Sequence, residues 1–135
     1  MSTTPQKNTS HEPRLFPMTA LMRQVKVLPA TASMKGDMVA TADVSISLDG
    51  QYEGKIELEA GTIHIAASSK VTTELCIADY IYVEGSVKGK LHARKGIEFG
   101  PTSMVSGDIQ YDGDIDIHSG ARISAQLSGT EPEFF

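Results

Sequence analysis

Residues 86–100 read Ser86-Val-Lys-Gly-Lys-Leu-His-Ala-Arg-Lys-Gly-Ile-Glu-Phe-Gly100. Two phrases lie inside this stretch. The first, Val87-x-Gly89-x-Leu91, sets a small residue between two apolar ones on a single strand face. It recurs as Met34-x-Gly36-x-Met38, Tyr52-x-Gly54-x-Ile56, Val71-x-Thr73-x-Leu75, Val105-x-Gly107-x-Ile109 and Ile123-x-Ala125-x-Leu127. Its central positions step by 18, 19, 16, 18 and 18 residues. The second phrase, Ile97-x-Phe99, follows 8 or 9 residues behind each centre up to Gly107, as Val44-x-Ile46, Ile63-x-Ile65, Ile81-x-Val83 and Ile115-x-Ile117.

Alternation of apolar and other residues over so few positions is the pattern of short strands with one buried face. Within the repeat, no apolar stripe at helical spacing is long enough for a helix. A fixed period of this length predicts an all-β chain in which one repeat is one coil of a parallel β-helix. Each apolar phase then becomes a ladder inside the solenoid, with about five to six coils of roughly 18 residues. The central Gly36, Gly54, Gly89 and Gly107 share a face with the apolar residues around them, so they are expected to point inward, as corner or packing glycines. Thr73 and Ala125 are the next-smallest solutions at that phase.

Composition sets the limits. Trp is absent, and a thin interior of Ile, Val and Leu suits such a chain better than a core built on large aromatics. The single cysteine, Cys76, lies inside a strand phrase and reads as a structural thiol, with no disulfide framework and no cysteine-based zinc site. No secretory signal and no run long enough to span a bilayer is visible, which leads us to expect a reducing cytoplasm.

All 12 glycines fall between residues 36 and 129, while four of the 6 prolines fall between 5 and 29. The shift divides the chain into a flexible leader (1–32), a repeat domain (33–129) and a short tail (130–135). In the leader, Lys7, Arg14, Arg23 and Lys26 stand against Glu12, for a net charge of +3; the repeat domain, with 8 basic and 14 acidic side chains, carries −6. An acidic body is a poor surface for nucleic acid, and none is expected as a partner.

Residues 1–14 are polar and are expected to be disordered. Leu15 to Leu28 is the apolar part of the leader, and Met18, Leu21, Met22, Val25 and Leu28 recur at helical spacing. Three readings stand. The segment is an amphipathic membrane or partner-docking element, with Leu15, Phe16, Met18, Leu21 and Met22 as anchors and Arg23 and Lys26 as basic flanks. It is a lid over the open end of the solenoid. Or Val25-x-Val27 is a strand of a partial extra coil. Phe134 and Phe135 end the tail as a cap on the last coil, as an anchor for a partner, or as part of a disordered end.

No catalytic constellation assembles. His64, His92 and His118 each follow an apolar strand residue and are expected to face solvent, too far apart for a three-histidine zinc site. Asp108, Asp112, Asp114 and Asp116 read as a solvated face. No phosphate-binding loop is present, and no cofactor or metal is expected. Function therefore has to come from shape. A β-helix ends in two open apolar cross-sections with unpaired backbone edges, and coil-on-coil addition through such ends gives filaments.

The φ-x-Gly-x-φ phrases, of which Val87-Lys-Gly89-Lys-Leu91 and Val105-Ser-Gly107-Asp-Ile109 are the clearest, each followed by φ-x-φ, resemble the bactofilins, bacterial polymer-forming cytoskeletal proteins. The resemblance covers about residues 33–129. It implies a right-handed, roughly triangular β-helix and nucleotide-independent, non-polar filaments joined end to end. It further implies membrane association at the inner face of the cytoplasmic membrane and recruitment of cell-wall, cell-shape or chromosome-partitioning factors, without enzymatic activity. Subunit contacts are expected at Met34, Met38 and Val44 at one end and at Ile123 and Leu127 at the other. The phrases at Thr73 and Ala125 depart from the pattern, and Met1-Ser-Thr-Thr lacks the short apolar targeting motif of some members, which shifts any membrane contact to Leu15–Leu28.

Two other classes share the period. One is a left-handed hexapeptide-repeat enzyme, an acyltransferase or a carbonic anhydrase; Leu75, Ile81 and Val87 keep its six-residue step, but Leu91, Ile97 and Ser103 lose it. The other is a β-helix adaptor whose tails cap its ends and which does not polymerise.

Overall fold

The structure, a computed structural model, describes residues 25–41 and 43–129, with the backbone alone for residues 25–27. Twelve strands follow one another: β1 (Val25–Leu28), β2 (Ser33–Lys35), β3 (Met38–Ala40), β4 (Ser45–Leu48), β5 (Gln51–Glu53), β6 (Ile56–Leu58), β7 (Thr62–Ile65), β8 (Lys70–Val83), β9 (Ser86–Phe99), β10 (Met104–Tyr111), β11 (Asp114–Ile117) and β12 (Arg122–Gly129). Every pairing is parallel and joins a strand to its counterpart about one repeat away, as in Val87↔Val105↔Ile123. Parallel neighbours so close in sequence leave no room for crossover helices. The chain must coil on itself, and it forms the parallel β-solenoid expected from the repeat.

Three sides result. The first is built from β2, β5 and the opening residues of β8, β9, β10 and β12. The second takes β3, β6 and the following residues of the same long strands. The third takes β1, β4, β7, the ends of β8 and β9, and β11. Inward side chains stack in columns. Tyr52, Val71, Val87 and Val105 line the first side, Ile56, Cys76, Leu91 and Ile109 the second, and Ile63, Ile81 and Ile97 the third, all buried.

Four details differ from the sequence reading. On the third side the column partner of Ile63 is Ile46, and that of Ile65 is Leu48, so the first coil's phrase is Ile46-x-Leu48 rather than Val44-x-Ile46. Val25–Leu28 is strand, paired with β4, as the reading of Val25-x-Val27 as part of an extra coil has it for these residues, so the solenoid begins upstream of residue 33. Inside β8, Thr73 pairs with Gly89 but Cys76 pairs with Leu91, three residues turning a corner that β9 turns in two. The Thr73 Oγ1 accepts the Leu75 N–H at 3.1 Å and closes this bulge. Cys76 therefore takes the inner position and Leu75 is left half-buried, which also removes Leu75 from the six-residue step.

The bulge is cancelled at the next corner. There β8 spends two residues between Ala78 and Tyr80 while β9 spends three between Ala93 and Gly96. The short turn leaves carbonyls of the coil below without a backbone donor, and the Arg94 guanidinium supplies one. It donates to the Leu58 carbonyl, to the Glu59 carbonyl at 2.7 Å, and through Nε to Asp79 at 2.9 Å. A fork of five donors on a long stem reaches a span of 36 residues that no lysine could satisfy bidentately.

The corner glycines do not point inward. Gly36, Gly54, Gly89 and Gly107 have φ between 127° and 146°, a region closed to most side chains. A Cβ on Gly89 would run along the solenoid axis into the Thr73 carbonyl oxygen of the preceding coil, whereas one on Gly36 would meet nothing within 4 Å. The contrast is measurable. Gly36→Ala should lose only the left-handed backbone penalty of about 1–2 kcal/mol. Gly89→Ala adds a backbone clash and should lose several kcal/mol more, or fail to fold. Equal urea midpoints for the two variants would show that stacking at this corner is looser than described.

Candidate assembly faces at the two ends of the solenoid

The strand order leaves two sets of backbone edges with no described neighbour. At the N-terminal end these are the outer edges of β1, β2 and β3; at the C-terminal end, those of β11 and β12. The residues expected at the contacts fall into place by column. Met34, stacked on Tyr52, and Met38, stacked on Ile56, flank the glycine corner at the N-terminal end. Ile123, stacked on Val105, and Leu127, stacked on Ile109, flank the same corner at the C-terminal end. The same two columns thus surface at both ends. Met34 is 41 % exposed and Leu127 45 %, on positions that bury their equivalents completely in the middle coils. Val44 lies just before β4, whose Ile46 and Leu48 are covered by β1, and so stands apart from these two terminal columns.

The structure adds Ile117, inward in phase yet 45 % exposed because no described strand follows β11 on its side. The repeat already contained the signal, since Ile115-x-Ile117 is its last second phrase. Leu15, Phe16, Met18, Leu21, Met22, Arg23, Phe134 and Phe135 lie outside the described residues, and Lys26 is described by its backbone alone. Among the described residues, no helix is long and apolar enough to cross a membrane.

Of the histidines, His64 and His92 are outward in strand phase but less open to solvent than expected, with 12 % and 21 % of their side chains exposed, and each is held by a carboxylate: His64 Nε2 lies 2.7 Å from Glu84 and His92 Nε2 2.8 Å from Asp112. His64 also stacks on Tyr82, ring centroids 5.0 Å apart. His118 departs from expectation. It is buried and paired with Glu98, itself buried, and with Asp116 these side chains bring three ligand-type atoms within 4.8 Å of one another.

Two comparisons bear on this architecture. The family model for bactofilins, described as polymer-forming cytoskeletal, matches residues 26–128. The chain belongs to the bactofilin family. A bactofilin from Thermus thermophilus, reconstructed by cryo-electron microscopy as double helical filaments, is similar at 23 % identity. The match has a TM-score of 0.67 and covers 77 % of this chain and 97 % of that one. At that identity it supports the solenoid fold. Among curated proteins nothing matches. The bactofilin match begins at residue 26, within β1, and so agrees with a solenoid that starts before residue 33.

Cys76 occupies the centre of this bactofilin core, and burial pushes its thiol up to about 12. A protonated, enclosed sulfur is no nucleophile at neutral pH. The sign of the linkage is fixed by the raised value. The thiol's contribution to stability is complete below the pKa of an unfolded cysteine, about 8.5. It is lost as pH rises from there towards 12, because only the unfolded chain ionises readily. Between pH 7 and 10.5 the urea midpoint of the native sequence should fall more steeply than that of Cys76→Ala, and a water-soluble thiol reagent should label Cys76 only after unfolding. Prompt labelling of the folded protein would contradict the enclosed position.

Proposed function

We propose that this bactofilin is a structural subunit that assembles end to end into nucleotide-independent filaments. The observation that carries this reading is the exposure, at both ends, of apolar columns that are continuous through the core. Stacking one end on another returns Met34, Met38, Ile123, Leu127 and Ile117 to the environment of their buried equivalents, with Val44 supporting the contact from just before β4. The edges of β2, β3, β11 and β12 gain strand partners in the same step. Backbone bonding and apolar burial supply the free energy, so no nucleotide is needed. No catalytic role is assigned.

The filaments are proposed to lie on the inner face of the cytoplasmic membrane and to recruit cell-wall, cell-shape or chromosome-partitioning proteins. Leu15, Phe16, Met18, Leu21 and Met22 are the proposed apolar anchors, with Arg23 and Lys26 at the headgroups. Charge on the body supports this orientation. The outward positions of the first side carry Lys35, Lys70, Lys88 and Arg122 against Glu53, while those of the third side carry Asp49, Glu84, Glu98, Asp114 and Asp116 against Lys26. A basic face repeated along a polymer would favour anionic lipid at about 1 kcal/mol per cation.

Leu127→Arg should leave the strand signal in circular dichroism intact, since a side chain this exposed costs the fold within about 0.5 kcal/mol when replaced. It should abolish long filaments in negative-stain micrographs taken without nucleotide, where the native protein forms them. Filaments that persist would place the C-terminal contact elsewhere. Combined Lys70→Glu, Lys88→Glu and Arg122→Glu should reduce co-sedimentation with phosphatidylglycerol vesicles by about two orders of magnitude. Unchanged co-sedimentation would take the first side away from the membrane.

A further inference from the structure

Two outward faces of the solenoid each hold an apolar centre within charge of one sign, and the signs are opposite. On the second side, one residue separates the small corner residue from the inner column in each of the other coils. It is Asp37, Lys55, Lys90, Asp108 or Gln126, polar every time. The bulged coil spends two residues there, Glu74 and Leu75. Leu75 is thereby turned out beside Ile77, whose outward column otherwise holds Val39, Glu57, His92, Gln110 and Ser128. Val39 is 68 % exposed, Leu75 and Ile77 are half-buried, and the three line a groove of about 340 Å³. In the three coils that hold this patch, Asp37, Glu57, Glu59 and Glu74 stand against Lys55 and, one coil on, Lys90, while Asp79 is held by Arg94. The first side is built the opposite way. Met104, 51 % exposed, stands beside Arg122, diagonal to Lys88 and two coils from Lys70 in its own column, over a groove of about 430 Å³. The carboxylate of that face, Glu53, lies 3.8 Å from Lys35. Apolar patches rimmed by charge on an open sheet face mark contact surfaces.

We propose that the two faces are partners, the first side of one copy packing sideways on the second side of another. Met104 meets Leu75 and Ile77, and Lys88 and Arg122 turn towards Glu57 and Glu74. Charge selects this pairing. Two first sides would set Lys70, Lys88 and Arg122 against themselves, and two second sides would do the same with Glu57, Glu59 and Glu74. The unlike pairing alone is attractive. It is heterologous, so each copy keeps one unused face of either kind and further copies add sideways. A single contact is small. A side of six strands measures about 24 Å by about 10 Å at the usual strand spacings, well under the roughly 800 Å² per partner of a stable complex. Rows of copies add such contacts together. End-to-end assembly supplies rows, but the pairing of the faces does not rest on it. The cations proposed above to meet anionic lipid are the ones used here, so lipid and a neighbouring copy exclude each other on the first side.

The test mixes two full-length variants, Met104→Cys and Ile77→Cys, with a short bis-maleimide; the native Cys76 is enclosed. The mixed cross-link should exceed either self-product about tenfold. Salt at about 1 M, where charges are screened beyond about 3 Å, should remove most of that excess. Lys88→Glu with Arg122→Glu in the Met104→Cys copy should abolish it. Glu57→Lys with Glu74→Lys in the Ile77→Cys copy should restore it against that reversed partner. The excess should also survive in a Leu127→Arg background, where the end contact is lost, and negative-stain images of the same samples report the end contact separately. The proposal is overturned if mixed and self-products form equally or not at all, or if the paired reversal fails to restore the excess. Dominant self-products of Ile77→Cys would assign the second side to a like face. A thiol introduced by Ile77→Cys that cross-links to nothing and resists maleimide in dilute solution would assign it to a segment of its own chain. Either result also overturns it.

Discussion

Each coil of this protein satisfies its backbone by handing hydrogen bonds to the coils on either side. That transfer is possible only while the coils stay close enough to bond at every strand and pass every corner. The glycine corner is where the requirement is most severe, because the backbones approach until a Cβ has no place to go. Column packing, the triangular section and the exposed ends all follow from it. A ladder that bonds forwards and backwards has no natural last member, and its two terminal edges are as bonding-competent as its interior.

The outline of the fold was legible in residues 33–129 because strand periodicity and coil length act on the same apolar positions. Where two phases were equally apolar, legibility ended. Val44, Ile46 and Leu48 alternate without a break, so the frame of the first coil was ambiguous by two residues until Ile46 was seen beside Ile63. Leu75 and Cys76 are both apolar, and nothing local says which of them faces in; the bulge at Thr73 decides it. Val25–Leu28 satisfies helical and strand spacing alike, and only its bonding to β4 selects the strand.

The candidate ends were legible in part. Met34, Met38, Ile123 and Leu127 were recoverable because the terminal repeats of a solenoid must lack a partner on one side. The enclosure of Glu98 and His118 was not, since the strand phase places both outside and burial on that side is a tertiary fact. Arg94 gave no local sign of its role either. Its partners lie 35 and 36 residues upstream, and its task exists only because the coil between them is short.

That short coil has a consequence for how the chain finds its fold. A run of near-identical repeats can be wound in several frames, each displaced by one turn, and apolar columns alone distinguish them weakly. The extra residue at Thr73, its removal at Asp79 and the guanidinium that spans two turns all fall in this coil, and the pairings of β10, β11 and β12 carry no such shift, while β1 has one of its own between Lys26 and Leu28. A chain wound one turn out of frame would keep most of its buried hydrocarbon. It would strand the Leu58 and Glu59 carbonyls and place a three-residue corner over a two-residue one. The irregular coil acts as an index mark, giving a periodic object a single origin from which the other turns are counted.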